Sequence, residues 1–78
     1  MIDKKIFSTR FRILIDNAGL KMTDIARALD LTKQSVDAWD KQKAVPSADK
    51  LVELAEVLDC SIDYLCGLSD DPSRIKRM

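Results

Sequence analysis

The stretch from Met22 to Trp39, MTDIARALDLTKQSVDAW, constrains the fold more than any other part of this chain. It holds two short apolar-periodic segments separated by a break at Asp30-Leu31-Thr32. Ile25, Ala26 and Leu29 mark one inward face, and Val36 and Trp39, three apart, mark the other. Both segments are shorter than the roughly 12–15 residues below which an isolated helix is marginal in water. They must therefore brace each other and lean on a core supplied by the rest of the chain. Ala26 is small enough to let another helix cross closely. Asp30 tolerates the left-handed backbone better than most non-glycine residues, and β-branched Val36 fills the angle between the two segments. Small, turn and plug at that spacing are what a bihelical corner needs.

The remaining segments supply helices to hold that corner. At 78 residues the chain is one domain. Its 46% hydrophobic content with only 5% aromatic, and its two glycines and two prolines, favour helices over a turn-rich β fold. A first helix is predicted from near Ile6, or after Ser8, to Ala18, where Gly19 can take the left-handed position that ends a helix. Phe7, Phe11, Leu14 and Ala18 form its stripe. Ile13 and Ile15 fall off it, either exposed or buried against a neighbouring chain or the amino-terminal residues. The second helix starts at either Thr23, the better cap by type, or Lys21, which puts Asp24 in the first turn. Thr32 caps the third. After a loop from Lys41 to Pro46, Ser47 caps a fourth with Leu51, Leu54, Ala55 and Leu58 inward and Asp49, Lys50, Glu53 and Glu56 outward. Ser61 caps a short fifth helix, Ile62 to Cys66, with Leu65 and Ile62 joining the core and Gly67 as its stop. The expectation is an all-α, five-helix domain over residues 1–69, followed by a flexible polar tail at 70–78.

Several function classes are disfavoured. Apolar runs fall far short of the roughly 20 residues that cross a bilayer, and MIDKKIFSTRF has neither the apolar core nor the cleavage site of a signal peptide. A cytoplasmic protein is expected, with no membrane contact. Cys60 and Cys66 are not in CxxC spacing, and a chain without histidine does not complete a usual zinc set, so they read as small core residues. With no histidine, metal cluster or phosphate-cradling glycine loop, neither an enzyme, a cofactor nor a small-molecule ligand is expected. Net charge is zero but unevenly spread: residues 1–20 carry +2, residues 21–45 +1, residues 46–71 −6 and residues 72–78 +3. A charge feels its local face more than the whole molecule, because salt screens beyond about 8 Å.

Two short helices joined by a three- or four-residue turn describe a helix-turn-helix, which sets its second helix into a DNA groove. Here the chain resembles the Cro/lambda-repressor-like, XRE-type helix-turn-helix regulators over about residues 7–69. The matching pieces, in family order, are NAGLKMTDIARAL, DLTKQSVDAWDKQKAVPS and DKLVELAEVLDCSIDYLCGLSDD. The resemblance implies a five-helix fold whose third helix lies in the major groove. It places Lys33, Gln34, Ser35, Asp37 and Ala38 at base edges, and Thr32, Lys41 and Lys43 at phosphates, with Lys21 able to serve a phosphate by its charge. Ile25, Ala26, Leu29, Asp30, Leu31, Val36 and Trp39 become the corner's core. The chemistry agrees: Gln pairs bidentately with adenine, Lys donates to guanine, and phosphate contacts fix register without reading sequence.

Departures from the family pattern are specific. Lys21-Met22 replace a usual Thr-Gln, Asp30 replaces the turn glycine, and Gln42 replaces the glycine after the third helix. Ile15 and Asp40 occupy the positions of a common Arg–Glu ion pair, so that pair is expected to be absent. Asp37 places an acid on the reading face, so modest DNA affinity is expected. The leading expectation is a sequence-specific, double-stranded DNA-binding transcriptional repressor acting as a homodimer. The alternative is a protein-interaction module on the same fold, such as an antitoxin or antirepressor component, motivated by the acidic residues 46–71.

Overall fold

Short side chains that accept orphan backbone N–H groups set where helices begin. The computed structural model describes residues 2–73, and in them five helices form: α1 (Lys4–Ala18), α2 (Met22–Ala28), α3 (Lys33–Asp40), α4 (Ala48–Leu58) and α5 (Ile62–Cys66), with no strand. Asp3 Oδ1 accepts from the N–H groups of Lys5 and Ile6 at 2.9 and 3.0 Å, so α1 starts two residues earlier than the apolar stripe suggests. Thr32, Ser47 and Ser61 cap α3, α4 and α5 as their types predict. For α2 the boundary residue is Lys21, whose own N–H donates to Asp24 Oδ2 at 2.9 Å.

All five helices stop in the same way. A residue at positive φ follows the last turn: Gly19, Asp30, Gln42, Asp59 and Gly67. Its N–H and that of the next residue turn back to carbonyls of the last turn. In α2, Asp30 donates to Arg27 and Leu31 to Ala26; in α3, Gln42 donates to Trp39 and Lys43 to Ala38. These paired bonds are Schellman motifs, which satisfy carbonyls that a helix end otherwise leaves unpaired. Three of the five left-handed positions carry a side chain, so part of the fold's stability offsets their strain.

α1 packs against α3, α4 and α5, and α2 packs against α3 and α4. Because α1 faces three helices, its buried arc is wider than the Phe7, Phe11, Leu14, Ala18 stripe. Phe7, Phe11 and Ile15 are buried, Leu14 is half-buried and Ala18 is exposed. Ile15, expected at the surface or buried against another chain or the amino-terminal residues, belongs to the core at 3% exposure, while Ile13 remains 44% exposed. Trp39 meets the Phe7 and Phe11 rings edge-on at centroid distances of 6.2 and 5.9 Å, a favoured aromatic arrangement. On α4, Leu51, Leu54, Ala55 and Leu58 point inward as predicted, and Leu65 closes the core from α5.

Residues 69–72 run back along the domain. Arg10 donates to the Tyr64 and Ser69 carbonyls and to Asp70, with its guanidinium 4.4 Å from the Tyr64 ring centroid. The Ser61 N–H donates to the Pro72 carbonyl at 2.9 Å, and the Ser61 hydroxyl to the Asp71 carbonyl. The expected tail thus begins with residues tied to α1 and α5; its last five residues, 74–78, lie outside the described residues.

Candidate nucleic-acid interface

The corner between α2 and α3 is built from the residues that its sequence singled out. Ile25, Ala26, Leu29, Val36 and Trp39 are all buried, and Leu31 is half-buried against them. Asp30 takes φ of 56°, the left-handed turn conformation that lets the chain reverse over one residue. Ala26 does double duty, because its carbonyl accepts from the Leu31 N–H at 2.8 Å while its methyl leaves room for α3.

That corner leaves the start of α3 open. Thr32, Lys33, Gln34 and Ser35 are exposed in succession, whereas Asp37 and Ala38 are half-buried. Thr32 Oγ1 accepts from the Ser35 N–H at 3.3 Å and lies 3.0 Å from Ser35 Oγ. The two hydroxyls share one hydrogen between them, so one O–H of the pair stays available for an outside acceptor. Lys41 and Lys43 are exposed just beyond α3, in the loop set by the left-handed Gln42, and Lys21 is exposed at the entry to α2. Lysines at these places are long-stemmed point charges suited to phosphate.

The far end of α3 is pinned to α1 through Asp40. Arg12 donates to Asp40 Oδ1 from Nε at 3.0 Å and also from Nη2. The buried Ser8 hydroxyl donates to the Asp40 carbonyl at 2.8 Å. An ion pair between α1 and the end of α3 is therefore present, contrary to expectation. Its basic member is Arg12 instead of a residue at position 15, where the core claims Ile15. The side-chain hydrogen bond and the charge of Asp40 raise the Arg12 pKa above its ordinary value.

A helix-turn-helix family model matches residues 11–65. The chain belongs to the XRE-type, lambda-repressor-like helix-turn-helix family. It is 36% identical over 67 residues to an uncharacterized HTH-type transcriptional regulator, YobD, of Bacillus subtilis, covering 86% of this chain and 60% of that one. It is 31% identical to the repressor protein CI of Enterobacteria phage phi80, covering 86% of this chain and 28% of the repressor. Against an uncharacterized HTH-type transcriptional regulator of Rickettsia conorii it is 36% identical, covering 81% and 46%. The chain thus spans between about a quarter and three fifths of the relatives' lengths. No solved structure matches it significantly.

Within this helix-turn-helix domain, the polar ties of four residues escaped sequence reasoning. Arg10 and Arg12 sit in the first helix as ordinary surface bases by pattern, and only the packing of α1 between α3 and α5 gives them partners. Ser8 had a weak signal, a small hydroxyl one position from Phe7 on a helix that must pack tightly. Lys50 had a stronger one, as the only base in the acidic stretch 46–71. Its Nζ donates to the Leu29 carbonyl at 2.8 Å and lies 3.0 Å from Glu53 Oε2. Among the described residues, no group of three or more His, Cys, Asp or Glu could hold a metal ion, and no helix is long and apolar enough to cross a membrane.

Proposed function

We propose that this chain is a sequence-specific, double-stranded DNA-binding transcriptional repressor of the cytoplasm that places α3 in the major groove. The observation that carries the reading is the run Thr32 to Ser35, exposed on the first turn of a helix held at both ends. A recognition helix needs this combination, because base edges are read by the residues at its amino-terminal end. Lys33 and Gln34 are the principal base readers, with Ser35, Asp37 and Ala38 beside them. The half-burial of Asp37 and Ala38 restricts them to short-range contacts. Lys21, Thr32, Lys41 and Lys43 contact phosphates and set the register.

A homodimer fits the same reading. Half-sites on one face of the duplex lie about 34 Å apart, and the domain measures 35 × 23 × 23 Å, a size that lets two copies sit side by side over one turn. Selection from a random duplex pool, followed by titration of the selected site across salt, tests the proposal. Each phosphate contact adds about −0.9 to the slope of log affinity against log salt. A pool that yields no enriched sequence sinks the reading.

A second reading, a protein-interaction module, is favoured by one surface. Val52 and Val57 are 46% and 39% exposed on α4, among the exposed Asp49, Glu53 and Glu56. A stoichiometric basic partner co-purifying with a protein that binds no DNA favours that reading over the first.

A further inference from the structure

We infer that Lys50 is a positioning residue for DNA recognition: by capping the Leu29 carbonyl it locks the helix-turn-helix corner onto α4. The inference rests on the DNA-binding reading above. Lys50 lies at the start of α4, where its backbone N–H is held by Ser47 Oγ at 3.4 Å. Its side chain is only 30% exposed, and Nζ reaches 2.8 Å from the carbonyl of Leu29, across 21 residues of sequence.

Leu29 is the last residue before the left-handed turn. The carbonyls of Ala26 and Arg27 are taken by Leu31 and Asp30, so the Leu29 carbonyl projects at the end of α2. A cation is favoured there, because the helix dipole places partial negative charge at that end. The bond is charge-assisted and reaches the chain four residues before Lys33. α2 has only seven residues and needs tertiary contacts to hold its angle. Buried Leu51 and Leu54, which follow Lys50 on α4, hold that helix in the common core. One lysine therefore couples α4 to the turn that leads into the amino-terminal end of α3.

When a binding-competent geometry is only part of the population, apparent affinity falls by that fraction. Base contacts need the geometry, whereas loose electrostatic binding to any duplex does not. Lys50 thus governs the ratio of specific to random-duplex affinity more than it governs affinity as such.

The test compares Lys50→Met, which keeps the apolar stem, with Lys50→Arg and Glu53→Gln, each titrated against the selected site and a random duplex. Lys50→Met is expected to lower the ratio about tenfold, the weight of one charge-assisted hydrogen bond. Lys50→Arg restores most of the ratio, and Glu53→Gln leaves it unchanged. Amide hydrogen exchange at residues 29–32 is expected to speed up in Lys50→Met ahead of the core amides. A retained ratio in Lys50→Met, an equal loss on both duplexes, or a matching loss in Glu53→Gln overturns the inference. Should Lys50→Met not fold, Lys50→Arg decides the matter: a kept ratio supports the role and a lost one refutes it. If the wild-type protein selects no site at all, it is the DNA-binding reading that fails.

Discussion

Arg12 on α1 and Asp40 at the end of α3 are joined by two hydrogen bonds onto a single carboxylate oxygen, and Ser8 seizes the backbone carbonyl of the same aspartate. Three groups converge on the residue where the candidate recognition helix ends, so its far end is fixed in both main chain and side chain. The Arg12 side chain is 58% exposed, and screening limits what such a pair contributes. Since the Arg12 pKa is raised, the pair's contribution is complete below the ordinary arginine pKa and is lost only as pH rises through the raised folded value. The stability difference between wild type and Arg12→Gln is therefore expected to stay flat from about pH 7 to about pH 10 and to shrink with added salt. Urea melts over that range check it.

Ile15 and Ile13 are two residues apart and opposite in fate. Ile15→Ala is expected to destabilise the domain by about 2–5 kcal/mol, as cavity-forming core truncations do. Ile13→Ala is expected to stay within about 0.5 kcal/mol. Equal effects in chemical denaturation contradict the placement of Ile15 in the core.

The left-handed helix ends make a paired prediction. Gly19 sits at φ of 70° with open space where a Cβ would stand, so Gly19→Ala meets backbone strain alone. A loss of about 1 kcal/mol is expected. Gln42, at φ of 63°, already bears that strain, and Gln42→Gly is expected to raise stability by up to about 1 kcal/mol. The two changes in denaturation midpoint should have opposite signs.

Cys66 is half-buried, and burial together with the nearby charge of Asp63 pushes its thiol pKa up. The thiolate is the reactive form, so alkylation near neutral pH is expected to be slower than that of a free model thiol. The sign for stability follows from which state ionises first. Below the ordinary thiol pKa, both states keep the proton and nothing changes. As pH rises from there toward the raised folded value, the unfolded chain loses its proton first, and stability falls. Cys66→Ser, whose hydroxyl does not titrate in this range, is expected to remove that alkaline loss.

The corner was legible because its constraints are local. Ala26, Asp30 and Val36 each answer to a short-range requirement, and so do the caps Thr32, Ser47 and Ser61. The stops at Gly19 and Gly67 were equally plain. Gln42 adopts the same left-handed geometry although its residue type does not favour it, and Asp59 does so as a residue type that tolerates it, like Asp30. Arg10, Arg12 and Lys50 depend on partners 21 to 60 positions away along the chain. The burial of Ile15 depends on how the helices pack, and periodicity along one helix carries no record of which neighbours flank it. The start of α1 differs for another reason: Asp3 is a favourable cap by type, but it lies ahead of the apolar stripe that points to Ile6.

Direct base reading by the first turn of α3 is tested most sharply by two substitutions on one selected site. Gln34→Ala is expected to relax sequence preference at a single base pair per half-site, at a cost of about 1–3 kcal/mol, with an unchanged salt slope. Lys43→Ala is expected to weaken all duplexes evenly and reduce the salt slope by about 1. If Gln34→Ala binds the selected site as wild type does and selects the same sequence again, α3 does not read bases from its first turn, and the central claim fails.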